Sequence, residues 1–293
     1  MTASTAAARP RLARRRRSAR PVRRVLIALV TLLLVVIEVY PLFWLFSSSL
    51  KTQNEFLQGD PFALPASPDW GNYADAIVGA NFLHYVLNSL IATVPSLLLV
   101  IVLGTAAGFA LEVLVFRGRG AILLVFLAGI MIPGQMILLP LFAAYYQTGL
   151  TGTLWPLIIT YTATGLPLTV FMMATFFRAV PREVFEASTI DGAGMLRSFA
   201  LVGVPMVRNG VFTVALVQFF FIWNDLLVAI TFTNSSELGT IQVGLLNFSG
   251  QYGSTAYGPL LAAISLNVGG LLIIYLALNQ RIMRGLAAGS VKG

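Results

Sequence analysis

No cysteine occurs in the 293 residues, and histidine occurs once, at His84. Disulfides, thiol catalysis and cysteine-based metal sites are thereby excluded, and no metal cluster can be assembled around a single imidazole. Lysine is almost as scarce. Lys51 and Lys292 are the only two, and neither lies in the Gly-x-x-x-x-Gly-Lys-Ser/Thr context of a phosphate-binding loop, so the chain cannot hydrolyse ATP alone. Charged residues make up only 10% of the sequence against 57% hydrophobic ones, and the mean hydropathy is +0.84. That balance excludes an ordinary water-soluble domain and makes the bilayer the solvent.

A helix needs about 20 mostly apolar residues to cross a hydrocarbon core of roughly 30 Å. Six segments meet that requirement, at 25–47, 86–116, 121–146, 154–177, 204–232 and 257–278. The expected fold class is an all-α integral membrane protein with six transmembrane helices and a cytoplasmic helical loop between spans four and five. The second and fifth segments exceed the minimum length and are expected to tilt, kink or emerge; Pro95 and the pair Gly104/Gly108 supply kink and close-packing points in the second.

Basic residues are retained on the cytoplasmic side of membranes. The tail 1–24 carries a run of arginines from Arg9 to Arg24 and is therefore expected to be cytoplasmic, with residues 1–20 disordered. It leads straight into a full-length span with no small-residue cleavage site, so it reads as a topology anchor at anionic lipid rather than a nucleic-acid arm or export signal. Six crossings then put Arg117, Arg119, Arg178, Arg182, Arg197, Arg208, Arg281, Arg284 and Lys292 on that same side, and both termini with them. The opposite side receives Glu55, Asp60, Asp69, Asp75 and Glu237, and only Lys51 among the cations. Five or seven spans would scramble this sorting.

The polar stretch "EVFEASTIDGAGMLRSF", 183–199, is the exception among the apolar segments. Pro181 suits a first helical turn, and Glu183 near that end suits the helix dipole. A helix is expected over 181–190, then a turn at Asp191-Gly192 with Gly192 in the left-handed conformation, then a second helical stretch through Met195, Leu196 and Phe199. Such a firm helix-turn-helix, with Ala187 and Ser188 beside Glu186, fits a groove on another protein.

These residues resemble the EAA loop of permease subunits of bacterial ABC importers. "FEASTIDGAGMLRSF" followed by "GVPM" carries the Glu-Ala-Ala start and the Asp-Gly-Ala centre, with Ser188 in place of the second alanine and Asn209 where a later proline is usual. "YPLFWLFSSSLKT", "NYADAI", "NSLIAT", "GLTGTLWPLII", "FIWNDLL" and "RGLAAGSVKG" resemble the carbohydrate-uptake, malG-like branch. The resemblance implies a domain over 25–293 with the coupling loop at 181–204, a second homologous permease, an ABC ATPase dimer holding ATP and Mg, and an extracytoplasmic sugar-binding protein. No cofactor belongs to this chain, and no nucleic acid is involved. Glu183, Phe185, Glu186, Ala187, Asp191, Gly192 and Ala193 would form the ATPase-coupling surface, with Glu186 facing a basic residue of the partner's groove. Ser290, Val291, Lys292 and Gly293 would reach toward the ATPase, and the loop 233–256 would probe the binding protein. The localisation implied is the bacterial cytoplasmic membrane.

Polar residues within apolar spans are candidates for a substrate pathway, since sugar sites combine aromatic faces with hydrogen-bonding groups. Trp223, Asn224 and Asp225 stand together near the outer end of span five, and Asn88, Gln135, Tyr161 and Gln218 join them as further candidates. Each has a plain alternative as interfacial positioning or polar glue within the bundle. Glu38, mid-span, is expected to face the bundle or to be protonated, hydrogen-bonded to a neighbouring helix. His84 is expected just outside span two as an interfacial group, and Glu112 to pair with Arg117 or Arg119. Two rival classes fit less well. A membrane-embedded enzyme needs a convergent nucleophile, base or metal set. A secondary transporter needs inverted repeats and charged coupling sites, and no internal repeat is evident.

Overall fold

The computed structural model describes residues 19–233, 235–248 and 255–289, and the regular elements among them are all helices. The elements are α1 (Ala19–Ser48), α2 (Gln53–Gln58), α3 (Gly71–Ala74), α4 (Phe82–Glu112), α5 (Arg119–Ile130), α6 (Gly134–Gln147), α7 (Trp155–Arg178), α8 (Arg182–Ile190), α9 (Met195–Ser198), α10 (Val204–Met206), α11 (Arg208–Trp223), α12 (Leu227–Phe232), α13 (Ile241–Leu246) and α14 (Tyr257–Gly289). Short π-helical turns at Asp75–Gly79 and Phe199–Gly203 join α3 to the approach of α4 and α9 to α10.

Stretches of α1, α4, α7 and α14 are long and apolar enough to cross a bilayer unbroken. Two further apolar stretches are bent pairs: α5 and α6 meet at 94°, and the 195–206 segment meets α11 at 77°. The count reaches six if each bent pair is one span. Hydropathy read 121–146 as one helix, but Pro133, ahead of Gly134, has no N–H to donate and ends the first half-helix near Met131. The expected span 204–232 is likewise divided, at Val207 and again at Asn224. The first helix begins at Ala19, six residues ahead of the expected span and inside the expected disordered tail.

The frame is the pair α4 and α7. Gly104 and Gly108 let the two backbones meet: a Cβ on Gly104 would overlap the Thr169 side chain, and one on Gly108 would lie 2.7 Å from Met173 Cβ and 2.9 Å from the Ala174 nitrogen. Close approach of this kind drives helix association where lipid removes the hydrophobic term. Ser96 Oγ donates to Ala92 O at 2.6 Å and lies 3.4 Å from Ile158 O of α7, and Gln218 Nε2 of α11 donates to Gly165 O and Thr169 Oγ1 at 3.1 and 3.0 Å.

By contrast α1 stands apart from this frame. Its residues 23–41 are exposed; its contacts lie toward its end, where Tyr40 and Trp44 meet Phe62 and Phe56 and the last turns pack on α14. Glu38 lies on that exposed length and makes no hydrogen bond among the described residues, where the expected bond to a neighbouring helix is therefore not found. It shares a helical face with half-buried Leu42 and Leu45, four and seven residues on.

Beyond α1 the chain folds back on itself through a buried cation. Lys51, 3% exposed, donates to the Asp60 and Pro61 carbonyls at 3.2 Å each, and Pro61 O also receives Trp44 Nε1 at 2.9 Å. Asn72 Nδ2 ties the same corner by donating to Ser49 O and Lys51 O. Hydrogen bonds to charged groups contribute about 1.5–3 kcal/mol. Lys51→Met, which keeps the stem and removes the donors, is therefore expected to free the 52–69 loop. Limited proteolysis in detergent should show new cuts in that loop; an unchanged digestion pattern and melting temperature would contradict the assignment.

Candidate functional site

The helix-turn-helix at one end of the bundle follows from local sequence rules. Pro181 precedes α8 with φ −58° and ψ 135°, and Glu183 occupies the first turn. At the other end Ala193 N–H donates to Ser188 O and Gly192 N–H to Thr189 O, both at 3.0 Å, with Gly192 at φ 79°. That pair of bonds around a left-handed glycine is a Schellman cap, and it turns the chain into α9.

The loop has an inner and an outer side. Phe185 and Ser188 are buried, and the Phe185 ring meets Phe109 edge-on at 5.7 Å; Phe109 also contacts Phe177 at 5.4 Å and Phe199 at 5.2 Å. Gly203 lies against the same ring, where a Cβ would sit 3.3 Å away. Outward stand Ile190 at 86% exposure, Leu196 at 76% and Met195, together with Glu183, Glu186, Ala187 and Asp191. Of the apolar residues expected in the second stretch, only Phe199 turns inward. Ala193 is half-buried. Large exposed apolar side chains and carboxylates thus stand together on an element seated from behind by Phe109.

Glu112, at the end of α4, is not paired with Arg117 or Arg119. Its two oxygens accept Nε and Nη2 of Arg178, at 3.2 and 2.9 Å, while Arg119 Nη1 donates to Leu114 O. The reason is geometric. Gly118 at φ 90° turns the chain away after α4, whereas close α4–α7 packing brings the end of α7 alongside Glu112.

A cavity of about 530 Å³ opens where α5 breaks from α6, between α7 and the joint of α11 with α12. Tyr161, Gln218 and Asp225 line it with Thr160 and Thr164. Tyr161 OH donates to Asp225 Oδ1 at 3.1 Å, and the same oxygen accepts the Val228 and Ala229 N–H groups at 2.8 and 3.3 Å. Asp225 thus caps α12 while facing the cavity. Thr160 Oγ1 is bonded to Tyr145 OH at 2.9 Å.

The other pathway candidates are elsewhere. Trp223 is buried and donates Nε1 to Asn267 Oδ1 at 3.0 Å; Asn224 Nδ2 bonds Phe220 O one turn back; Gln135 is exposed on α6. Asn88 donates to Glu237 O and Gly239 O at 2.8 and 3.0 Å, and His84, in the first turn of α4 rather than outside it, holds Glu237 O at 2.6 Å. The threonines of the cavity were not among the candidates, although the Pro133-Gly134 dipeptide marks the break that opens it. Among the described residues no three His, Asp or Glu side chains gather as metal ligands. Ser290, Val291, Lys292 and Gly293 lie outside the described residues.

Comparison with known proteins gives a consistent picture. The pattern described as "Binding-protein-dependent transport system inner membrane component" matches residues 81–284. The diacetylchitobiose uptake system permease protein NgcG of Streptomyces coelicolor is 37% identical over 258 residues, 88% of this chain and 85% of that one. The trehalose transport system permease protein SugB of Mycobacterium tuberculosis is 32% identical over 260 residues, 86% and 92% of the two chains. A crystal structure of a bacterial ABC transporter involved in importing the acidic polysaccharide alginate superposes with a TM-score of 0.78 at 19% identity, covering 90% of this chain and 97% of that one, a likeness of fold. The chain therefore belongs to the binding-protein-dependent transport system inner membrane components, as an ABC transporter permease.

Proposed function

We propose that this permease moves a di- or oligosaccharide inward across a bacterial cytoplasmic membrane, driven by ATP hydrolysis in partner subunits that grip the loop 181–204. Both termini lie on the cytoplasmic side, and the tail ending Ser290, Val291, Lys292 and Gly293 approaches the ATPase. A second homologous permease completes the passage, an ABC ATPase dimer supplies ATP and Mg chemistry, and an extracytoplasmic sugar-binding protein delivers substrate to the loop 233–256. The observation that carries the reading is the seated helix-turn-helix, apolar and acidic on its outer side, in a chain matched to this family over 81–284. Glu186, exposed beside Ala187, meets a basic residue of the ATPase groove, and Ile190, Met195 and Leu196 supply the contact area.

The sugar passes the cavity of Tyr161, Gln218 and Asp225. Its volume lies in the range of small-molecule sites, roughly 300–1,000 Å³. Asp225 Oδ2, which makes no hydrogen bond among the described residues, accepts a sugar hydroxyl, and Tyr161 orients the carboxylate through Oδ1. Disaccharide substrates are supported by the relatives, two of which are named for diacetylchitobiose and trehalose.

Purification of the tagged chain from its native membrane tests the reading. A Walker-motif ATPase and a second permease should be retained, and their ATP hydrolysis should rise when sugar-loaded binding protein is added. Retention of no nucleotide hydrolase would end it.

A further inference from the structure

α4 holds a loop at each of its two ends. At its start, His84 Nε2 lies 2.6 Å from Glu237 O, Asn88 Nδ2 donates to Glu237 O and Gly239 O, and Ser89 Oγ accepts the Ile241 N–H at 2.8 Å. Tyr85 lies against Gly239 and Gly244, which have no Cβ to obstruct it, and its hydroxyl bonds Asn247 Nδ2 at 2.7 Å. At its far end, Phe109 is the hub on which Phe177, Phe185 and Phe199 converge, and Glu112 holds Arg178 with both oxygens. From Asn88 to Phe109 is 21 residues, about 32 Å at 1.5 Å per residue, so the two grips stand a membrane's thickness apart.

We propose that α4, locked against α7, is the strut that ties the position of the 237–247 loop to that of the coupling helix α8, with His84, Asn88 and Phe109 as its positioning residues. This rests on the function proposed above, in which α8 is moved by the ATPase and the opposite loop meets the binding protein. The fixed length of the helix and the glycine-mediated seam with α7 make the unit stiff, because packed interfaces shift between discrete arrangements rather than deforming smoothly. Force on α8 reaches Phe109 through Phe185. At the other end the loop follows, because Asn88 is 5% exposed and parting from the Gly239 carbonyl would leave buried polar groups unpaired. Coupling of this kind is reciprocal: whatever fixes the outer loop also biases α8.

Lying between two sites is not proof of coupling, so the test measures the coupling itself. Because the chain has no cysteine, Ser236→Cys places a single thiol in it, at an exposed position beside Glu237. Its labelling rate is read on this chain's band in the purified complex with its ATPase, with and without a non-hydrolysable ATP analogue. The analogue should change the rate by about fivefold or more, the lower range of coupling between sites. Adding Asn88→Leu or Phe109→Leu should bring the two rates to parity while the ATPase is still retained, and His84→Gln, which keeps a side-chain donor, should preserve the difference. The two severing variants sit at opposite ends, so the test stays readable if one of them fails to accumulate. Parity in Ser236→Cys alone, or an undiminished difference in either severing variant, overturns the proposal. Loss of the ATPase from the Ser236→Cys complex would instead strike at the function proposed above.

Discussion

Gly108→Leu is expected to abolish accumulation of the folded chain, whereas Gly120→Leu leaves it intact. A Cβ at Gly108 would stand 2.7 Å from Met173 Cβ, 2.9 Å from the Ala174 nitrogen and 3.0 Å from the Met173 carbonyl carbon. Two of those three atoms are backbone, and Met173 is wholly buried, so no rotamer change relieves the overlap. Overpacking costs about 1–3 kcal/mol where neighbours can yield. Here the alternative is to separate α4 from α7, which surrenders the contacts that hold them in lipid. The damage is not local, because Phe109 is the next residue and Phe177 lies one turn beyond Met173; opening the seam removes the seat of α8. Gly108→Ala should be intermediate. Nothing lies within 4 Å of a Cβ at Gly120, which makes it the control. Size-exclusion chromatography of detergent-extracted protein reads the result, and a parental, monodisperse Gly108→Leu peak would contradict the packing described.

The features legible in the sequence are those fixed by near neighbours. Pro181 starts α8 and Gly192 ends it because each acts through its own φ and the bonds of one adjacent turn. Apolar segments long enough to span were equally plain, since length and hydropathy need no tertiary information. The break at Pro133 is invisible to hydropathy because averaging over a span hides one residue; the neighbouring Pro-Gly dipeptide carries the signal. Arg117 and Arg119 are the arginines nearest Glu112 in sequence, but its partner Arg178 lies 66 residues away and is delivered by helix packing. Asn88 illustrates the limit for function. An amide in a membrane helix suits a sugar hydroxyl as well as a carbonyl, and only the fold reveals that Gly239 O, 151 residues on, takes its donor. Residue type alone named Tyr161, Gln218 and Asp225 but neither Thr160 nor Thr164, and connectivity decided which side chains enter the cavity.

Gly192→Val should insert and accumulate as the parent does and yet lose transport and binding-protein-stimulated ATP hydrolysis. Gly192 is exposed, and a Cβ there has nothing within 4 Å, so no clash is created. Its φ of 79° is the constraint. An L-residue held in the left-handed region costs roughly 1–2 kcal/mol, and a β-branched one is the poorest choice. That cost favours opening the Schellman cap, after which Met195 and Leu196 no longer stand in fixed relation to Glu186 and Ile190. A groove shaped to both helices then meets only one. One to two kcal/mol against docking is a factor of about 5–30 in the productive population. Steric and conformational causes predict different orders of severity. If size mattered, Gly192→Asn would harm more than Gly192→Ala; if the left-handed turn matters, asparagine, which tolerates that conformation, stays nearest to the parent, alanine falls between, and valine is worst. Glu186→Lys is expected to remove the proposed coupling by reversing a charge while leaving the turn alone, so it should retain native protease resistance across 188–195 while Gly192→Val loses it. Sugar uptake in vesicles, compared across the four variants, distinguishes the cases, and parental uptake with Gly192→Val would exclude the rigid turn as the means by which force enters this chain.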